Sequence, residues 1–400
     1  MRVAVVACLA TVLACGGPEP VTVPPPVDAG FASLSAGLLH TCGITTTNHL
    51  YCWGWNRDGE IGDGSVVDRV YAVQVSQSLT FSVVSSGGGH TCAVAMGDAG
   101  YCWGLNLTGQ IGDSTVMSRS TPTMPKGSLS FTGITTGGTF SCGLSATDST
   151  AWCWGWARDG ELGSRPTEVC STSGGPEPCS RAPIAVGGAL RFMTISAGVR
   201  HVCALTPDST AYCWGNNDAG QLGNGTLADT ALPVAVSGGL HFKAVTLGFS
   251  HSCGLTVSGD AYCWGDNTWA QLGEAATAQA STPRAVNGGI IFLSLSAGAY
   301  HTCGIGTGNS ASCWGENANG QLGAPTTETC TGPRTVLPCT HVPVPVTTNQ
   351  IFASISAGGS HTCAITTGGR AYCWGENANG QLGTGNTSGA NVPVRVANQP

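Results

Sequence analysis

Seven times along the chain a cysteine is followed ten or eleven positions later by a second cysteine, with Trp-Gly directly after the second. The pairs are Cys42 and Cys52, Cys92 and Cys102, Cys142 and Cys153, Cys203 and Cys213, Cys253 and Cys263, Cys303 and Cys313, and Cys363 and Cys373. Thiols in such pairs support two chemistries, metal ligation and disulfide formation. His40 lies two residues before Cys42, so on a strand the two share a face, and with Cys52 opposite they would offer three ligands to Zn²⁺. The third copy argues against this, because Phe140 replaces the histidine while Cys142 and Cys153 both remain. A disulfide tolerates that replacement and a three-ligand site does not. In a hairpin turning near Thr47, Cys42 and Cys52 fall opposite each other, with Ile44 facing Leu50 nearer the turn. Directly opposite residues have Cβ atoms about 4.5–5.5 Å apart, close enough for a disulfide after modest adjustment. Of the 20 cysteines, Cys8 and Cys15 lie near the N-terminus, while Cys170 with Cys179 and Cys330 with Cys339 make two further pairs. We expect disulfides throughout, with no metal and no cofactor.

Such bonds persist only in an oxidising compartment, and the N-terminus supplies a route to one. Residues 1–15, "MRVAVVACLATVLAC", carry one Arg and then an apolar run too short to span a bilayer, as an export signal does. Its end, "VLAC", resembles the bacterial lipobox, which makes Cys15 the expected lipidation site; the alternative is an ordinary cleaved signal peptide. The following segment to residue 30 is Pro-rich, as a tether between an anchor and a folded domain should be.

The elements that must position the cysteines are legible as repeats. The triplet "HTC" at His40 recurs at His90, as "FSC" at Phe140, "HVC" at His201, "HSC" at His251, and "HTC" at His301 and His361. Each copy continues to Cys-Trp-Gly and then to a turn such as "GQLG" at Gly220 or "GEIG" at Gly59. Short alternating runs such as "FASISAG", "HTCAIT", "RAYCWG" and "VPVRV", separated by Gly-containing turns, predict four strands per unit. Helix is not expected: 60 glycines disfavour it, and no long segment has a 3.6-residue apolar period. One such sheet cannot bury its faces alone, whereas seven around a ring cover one another. The expected fold is therefore all-β, a seven-bladed β-propeller over residues 31–400 with one disulfide per blade. "PVTV" at Pro20 mimics the fourth-strand sequence, but Val392 to Val396 lies at the normal distance from its own blade and is expected to complete it. Charged residues are 9% of the chain and the net charge is −7 with no basic run, which argues against a nucleic-acid partner.

"AYCWGNNDAGQLGNG", from Ala211 to Gly225, resembles the regulator of chromosome condensation repeat family, whose units carry a His-Ser/Thr pair, a Tyr-x-Trp-Gly strand, an Asn two residues on and a Gly-Gln-Leu-Gly turn. The likeness recurs seven times and implies the same propeller. Members of that family range from nucleotide exchange on a small GTPase to light reception and enzyme inhibition, so the resemblance implies a scaffold, not an activity. Its intracellular members lack these cysteines, which fits disulfide staples for a domain outside the cell. The repeated His is then expected to satisfy backbone groups beside its turn, and the repeated Trp to pack between blades.

Function should lie where the units differ. Strand parity places the Gly-x-x-His turn and the loop after Trp-Gly on one rim. The variable residues there include Leu38, Leu39, Arg200, Phe249 and Tyr300 in the turns, Trp55, Leu105 and Trp156 after Trp-Gly, and Arg57, Arg158 and Trp269 in the next loop. Exposed aromatics and Arg are the residue types that anchor interfaces. A bland reading stands beside this, in which Trp55 and Trp156 merely fold onto neighbouring loops. The insertions holding Cys170 with Cys179 and Cys330 with Cys339 add disulfide-closed lobes to the same rim. No carboxylate pair or Ser/His/Asp arrangement repeats. We therefore expect a monomeric, non-enzymatic, exported lipoprotein of the outer membrane or cell surface, touching the membrane only through its lipid. Its expected partner is an extracellular or periplasmic protein or glycan; the alternative is a hydrolase-like enzyme with a site grafted on the propeller face.

Overall fold

A computed structural model of the chain describes residues 30–400 apart from 173, 276 and 277. The signal, Cys15 and the tether lie outside the described residues.

In the first blade, Phe31–Ala36, His40–Thr45, Leu50–Gly54 and Arg69–Gln74 form one antiparallel sheet in sequence order, innermost strand first. The other six blades repeat it, the last with Phe352–Ala357, His361–Thr366, Ala371–Gly375 and Ala390–Arg395. The C-terminal segment thus completes its own blade. The hairpin register is the one the alternation predicts, with Cys42 opposite Cys52 and Ile44 opposite Leu50. The tight turn before the third strand needs a left-handed residue, supplied by Asn48 at φ 64° and by Asn309 at φ 59° in the sixth blade. The glycine after each Trp is required sterically: a Cβ on Gly54 would stand 2.7 Å from His40 Cα.

The core is split into seven main parts, each shared by two blades, with a small eighth cluster of Ala270, Cys330 and Cys339 between blades five and six. Cys42, Ile44, Leu50 and Cys52 of blade one pack against Phe81, Ala93 and Trp103 of blade two. Cys363, Ile365, Ala371 and Leu382 of blade seven pack in the same way against Phe31, Tyr51 and Trp53 of blade one. Burying these faces supplies the stability that a lone sheet lacks. Closure is also written in the backbone, since the Gly-x-x-His turns form a belt of inter-blade hydrogen bonds. Leu38 N–H donates to Gly87 O at 3.1 Å, and the last member, Gly359 N–H to Gly37 O at 3.0 Å, joins blade seven to blade one. A second belt uses hydroxyls on the inner strands: Ser86 N–H donates to Ser35 Oγ at 2.9 Å, and Ala36 N–H to Ser356 Oγ at 2.9 Å. The outer edges are blunted, because six of the seven outer strands carry a proline, at Pro122, Pro183, Pro233, Pro283, Pro343 and Pro393.

All nine expected disulfides are present. In the repeat, Cys42 is bonded to Cys52, Cys92 to Cys102, Cys142 to Cys153, Cys203 to Cys213, Cys253 to Cys263, Cys303 to Cys313 and Cys363 to Cys373. These seven bridge directly opposed residues with Cα atoms 4.0–4.1 Å apart, so each blade carries the one staple expected of it. Cys170 to Cys179 and Cys330 to Cys339 are diagonal pairs at 5.8 Å, which gives blades three and six a second bond each. The insertions are more regular than lobes. Glu168–Thr172 and Glu328–Thr331 each add a fifth strand, paired with long outer strands Gly175–Ala185 and Val336–Pro345.

Candidate interaction rim

The repeated histidine does not serve backbone groups beside its turn; it bridges blades. His40 Nε2 lies 2.8 Å from Thr91 Oγ1 of the next blade. That hydroxyl donates its one proton to the Glu60 carbonyl at 2.8 Å, so Nε2–H is the donor to the hydroxyl oxygen. The same carbonyl accepts the Trp103 indole N–H at 2.9 Å. Five other interfaces repeat the His–hydroxyl bond, through His90–Ser141, His201–Ser252, His251–Thr302, His301–Thr362 and His361–Thr41. The remaining interface explains the anomalous third copy. Phe140 faces a neighbour that carries Val202 where the others carry Ser or Thr, and the two share one buried cluster. An apolar pair has replaced a polar one. Burial lowers the pKa of His40 to about 4 and of the other five histidines to about 3, so all are neutral at physiological pH.

These bonds lock the Gly-x-x-His turns and the loops after Trp-Gly side by side, and Trp55 N–H donates to Leu39 O at 3.0 Å. Both sets emerge on one rim, as strand parity required. Leu38, Val199 and Phe249 line the channel mouth, above a cavity of about 200 Å³ walled by inner-strand residues such as Ser35, Thr135 and Ser296. Leu39, Leu105, Trp55 and Trp156 are half-buried, and Arg57 and Arg158 are exposed. The Arg57 guanidinium lies 4.6 Å over the Trp55 ring, and the Leu105 side chain packs against Gly89. Leu107, which sequence reasoning passed over, is 59% exposed between these two blades' tryptophan loops.

The other predicted residues are engaged by neighbours. Arg200 pairs with Asp159, and Phe249 stacks on Tyr300 with ring centroids 5.5 Å apart. Tyr300 has its pKa raised by burial and by the charges of Asp266 and Glu316. Trp269 is partly covered, lying against Gly332 and the Cys330–Cys339 disulfide of blade six. Cys330, Cys339 and His341 bring their ligand atoms within 4.8 Å of one another, but the two sulfurs are bonded together.

Two buried carboxylates were also missed. Where the other five blades carry a glutamine in this turn, as Gln221 in Gly-Gln-Leu-Gly, blades one and three carry Glu60 and Glu161. Each accepts a backbone N–H, from Asp58 and Asp159 at 2.9 Å. Burial raises Glu60 to about 7 and Glu161 to about 8. The signal was available: Trp-x-Arg-Asp-Gly-Glu occurs twice, at Trp55 to Glu60 and Trp156 to Glu161, and flanks Leu-x-Leu at Leu105 to Leu107. Only these two blades combine the extra Trp with Glu.

The family model for the RCC1-like domain matches residues 75–400, and models for the regulator of chromosome condensation (RCC1) repeat match residues 31–60 and 48–94. Among curated proteins, the ultraviolet-B receptor UVR8 of Arabidopsis thaliana is 41% identical over 44 residues, a match spanning 11% of this chain and 10% of the receptor. Human WBSCR16 has a similar solved structure, with a TM-score of 0.74 and 20% identity over 87% of this chain and 94% of that one. Prp20p of Saccharomyces cerevisiae gives a TM-score of 0.74 and 20% identity over 92% and 87% of the two chains. The ectodomain of the Physcomitrella patens receptor kinase CR4 gives 0.55 and 20% over 87% and 74%. At these identities the likeness is one of fold.

Proposed function

Since this chain belongs to the family of RCC1-like domains, we propose that it is a binding scaffold, held outside the cytoplasm by a lipid on Cys15, that recognises a protein or glycan partner through one propeller rim. The carrying observation is the contrast between uniform blades and divergent loops. Trp55 with Arg57 and Trp156 with Arg158 place a Trp and an Arg on blades one and three, and Leu105 with Leu107 adds apolar surface on blade two between them. Rigid aromatics and Arg concentrate binding energy when a partner excludes water from them. Proteins of the same fold are consistent with a binding role: yeast RCC1 binds Kap60, and Prp20p binds Gsp1p and histones. The CR4 likeness supplies an ectodomain precedent for the fold. Nine disulfides favour an oxidising compartment.

The test is a pull-down from the producing cell's envelope and medium with purified protein, wild type against Trp55→Ala/Leu107→Ala. At least a fivefold loss of a specific partner is expected; equal recovery of every partner would remove the rim patch. Radiolabelled palmitate should enter the wild type and not Cys15→Ser.

A further inference from the structure

We propose that the cleft between blades three and four is a binding site for an acidic sugar, with Arg158 and Arg165 holding its carboxylate or sulfate. The proposal rests on the rim being a recognition surface and names a ligand class for part of it. The cleft has a volume of about 430 Å³ and is lined by Arg158, Ser164, Arg165, Pro166, Pro178 and Asp229, among others. That size suits a small ligand and not the face of a folded protein.

Both arginines are exposed, and among the described residues neither enters an ion pair. Asp159, also on the cleft wall, is neutralised by Arg200, so it does not cancel them. Two free guanidinium forks on one cleft match the planar oxygens of a carboxylate or sulfate. Asp229, whose Oδ1 accepts the Asn217 N–H at 2.7 Å, adds an acceptor nearby. A ligand serving both groups carries an oxyanion and hydrogen-bond donors within a few ångströms, as a sugar acid does with its hydroxyls.

A second observation is independent of the charges. Buried polar atoms without a partner include six histidine Nδ1 and three glutamine Nε2 atoms, which recur with the repeat and follow from it. Six others remain, and four of them belong to residues in or next to the cleft wall, Trp156 Nε1, Glu161 Oε1, Ser164 Oγ and Arg200 Nε, of which Ser164 alone lines the cleft. Trp156 adjoins the wall residue Ala157, and Arg200 holds Asp159. An unpaired buried polar atom lowers stability, so Ser164 Oγ on the cleft lining fits polarity kept for a ligand. Pro166, Pro178 and the Cys170–Cys179 bond stiffen the walls, which lowers the ordering cost of binding. The cleft beside the other insertion, about 600 Å³, is lined by Asn267, Thr329, His341 and others without Arg or Lys.

Titration calorimetry on the purified protein with a glucuronate-terminated disaccharide, its neutral glucose counterpart and sodium sulfate tests the assignment. The acidic disaccharide should bind, the neutral one at least tenfold more weakly. Arg158→Ala/Arg165→Ala should lose at least tenfold in affinity, and Arg158→Lys/Arg165→Lys should fall between. No binding by wild type, equal binding of the neutral sugar, undiminished binding by the alanine variant, or sulfate binding as tightly as the disaccharide (an adventitious ion only) would each overturn it. Disaccharide binding that survives alongside a failed Trp55/Leu107 pull-down would sink the rim patch alone; the converse would sink the sugar site alone.

Discussion

Six buried imidazoles, each spanning two blades through Nε2, set the response of this protein to acid. A histidine whose folded pKa is about 3–4 takes up its proton mainly in the unfolded chain between that value and 6.5, so its stabilisation is present above 6.5 and lost as pH falls. Glu161 works in the opposite sense. With a folded pKa of about 8 against an ordinary 4.5, it costs stability as pH rises between those values. Thermal melts should therefore show Tm falling below pH 6. Glu161→Gln, which installs the glutamine of the other turns, should raise Tm at pH 8 by at least ~1 kcal/mol equivalent and leave it unchanged at pH 4. A flat difference across pH would contradict the buried, protonated carboxyl. At neutral pH, His40→Phe and Thr91→Val should each cost about 1–2 kcal/mol, while the double variant, copying Phe140 and Val202, should cost less than their sum in denaturant melts. The histidine's partner was not legible in the sequence because it lies 51 residues away on another blade. The clue was the joint loss of His and hydroxyl at Phe140 and Val202.

Strands carried most of the legible information. Alternation in "HTCGIT" and "LYCWG" fixed which residues oppose, so the cysteine register followed without tertiary knowledge. The same rule missed the extra strands of blades three and six, since Pro176, Pro178 and Pro338 argue against a strand, and only an outer edge tolerates them. Each repeat disulfide closes a loop of about ten residues within one blade and sits in the core shared with the next. Removing one pair, as Cys42→Ala/Cys52→Ala, should lower stability by roughly 2–3 kcal/mol in chemical denaturation. Loss of under ~0.5 kcal/mol would mean the pair is only a by-product of proximity. Cys170→Ser/Cys179→Ser, in contrast, should leave global unfolding nearly unchanged and raise hydrogen exchange at residues 168–180, because that pair braces an outer hairpin.

At the scale of the molecule, the ring divides labour between sameness and difference. Inter-blade cores and the glycine belt repeat seven-fold, the hydroxyl belt joins six of the seven interfaces, and all three close blade seven on blade one, which is why the fold could be read from the repeat alone. The rim was only half legible. Parity brought the turns and the loops after Trp-Gly to one side of the ring, but which side chains remain available there depends on neighbouring blades. Trp269 is taken up by the sixth blade's disulfide hairpin and Arg200 by Asp159, while Leu107 stands free. Whether that rim is the recognition face can be asked in the living cell by placing a photo-crosslinking amino acid at Leu107 or, as its counterpart on the opposite rim of the same blade, at Met96, which are 59% and 55% exposed. A discrete adduct from position 107 and none from position 96 is the predicted result; an adduct from position 96 alone, or from neither, would contradict the account.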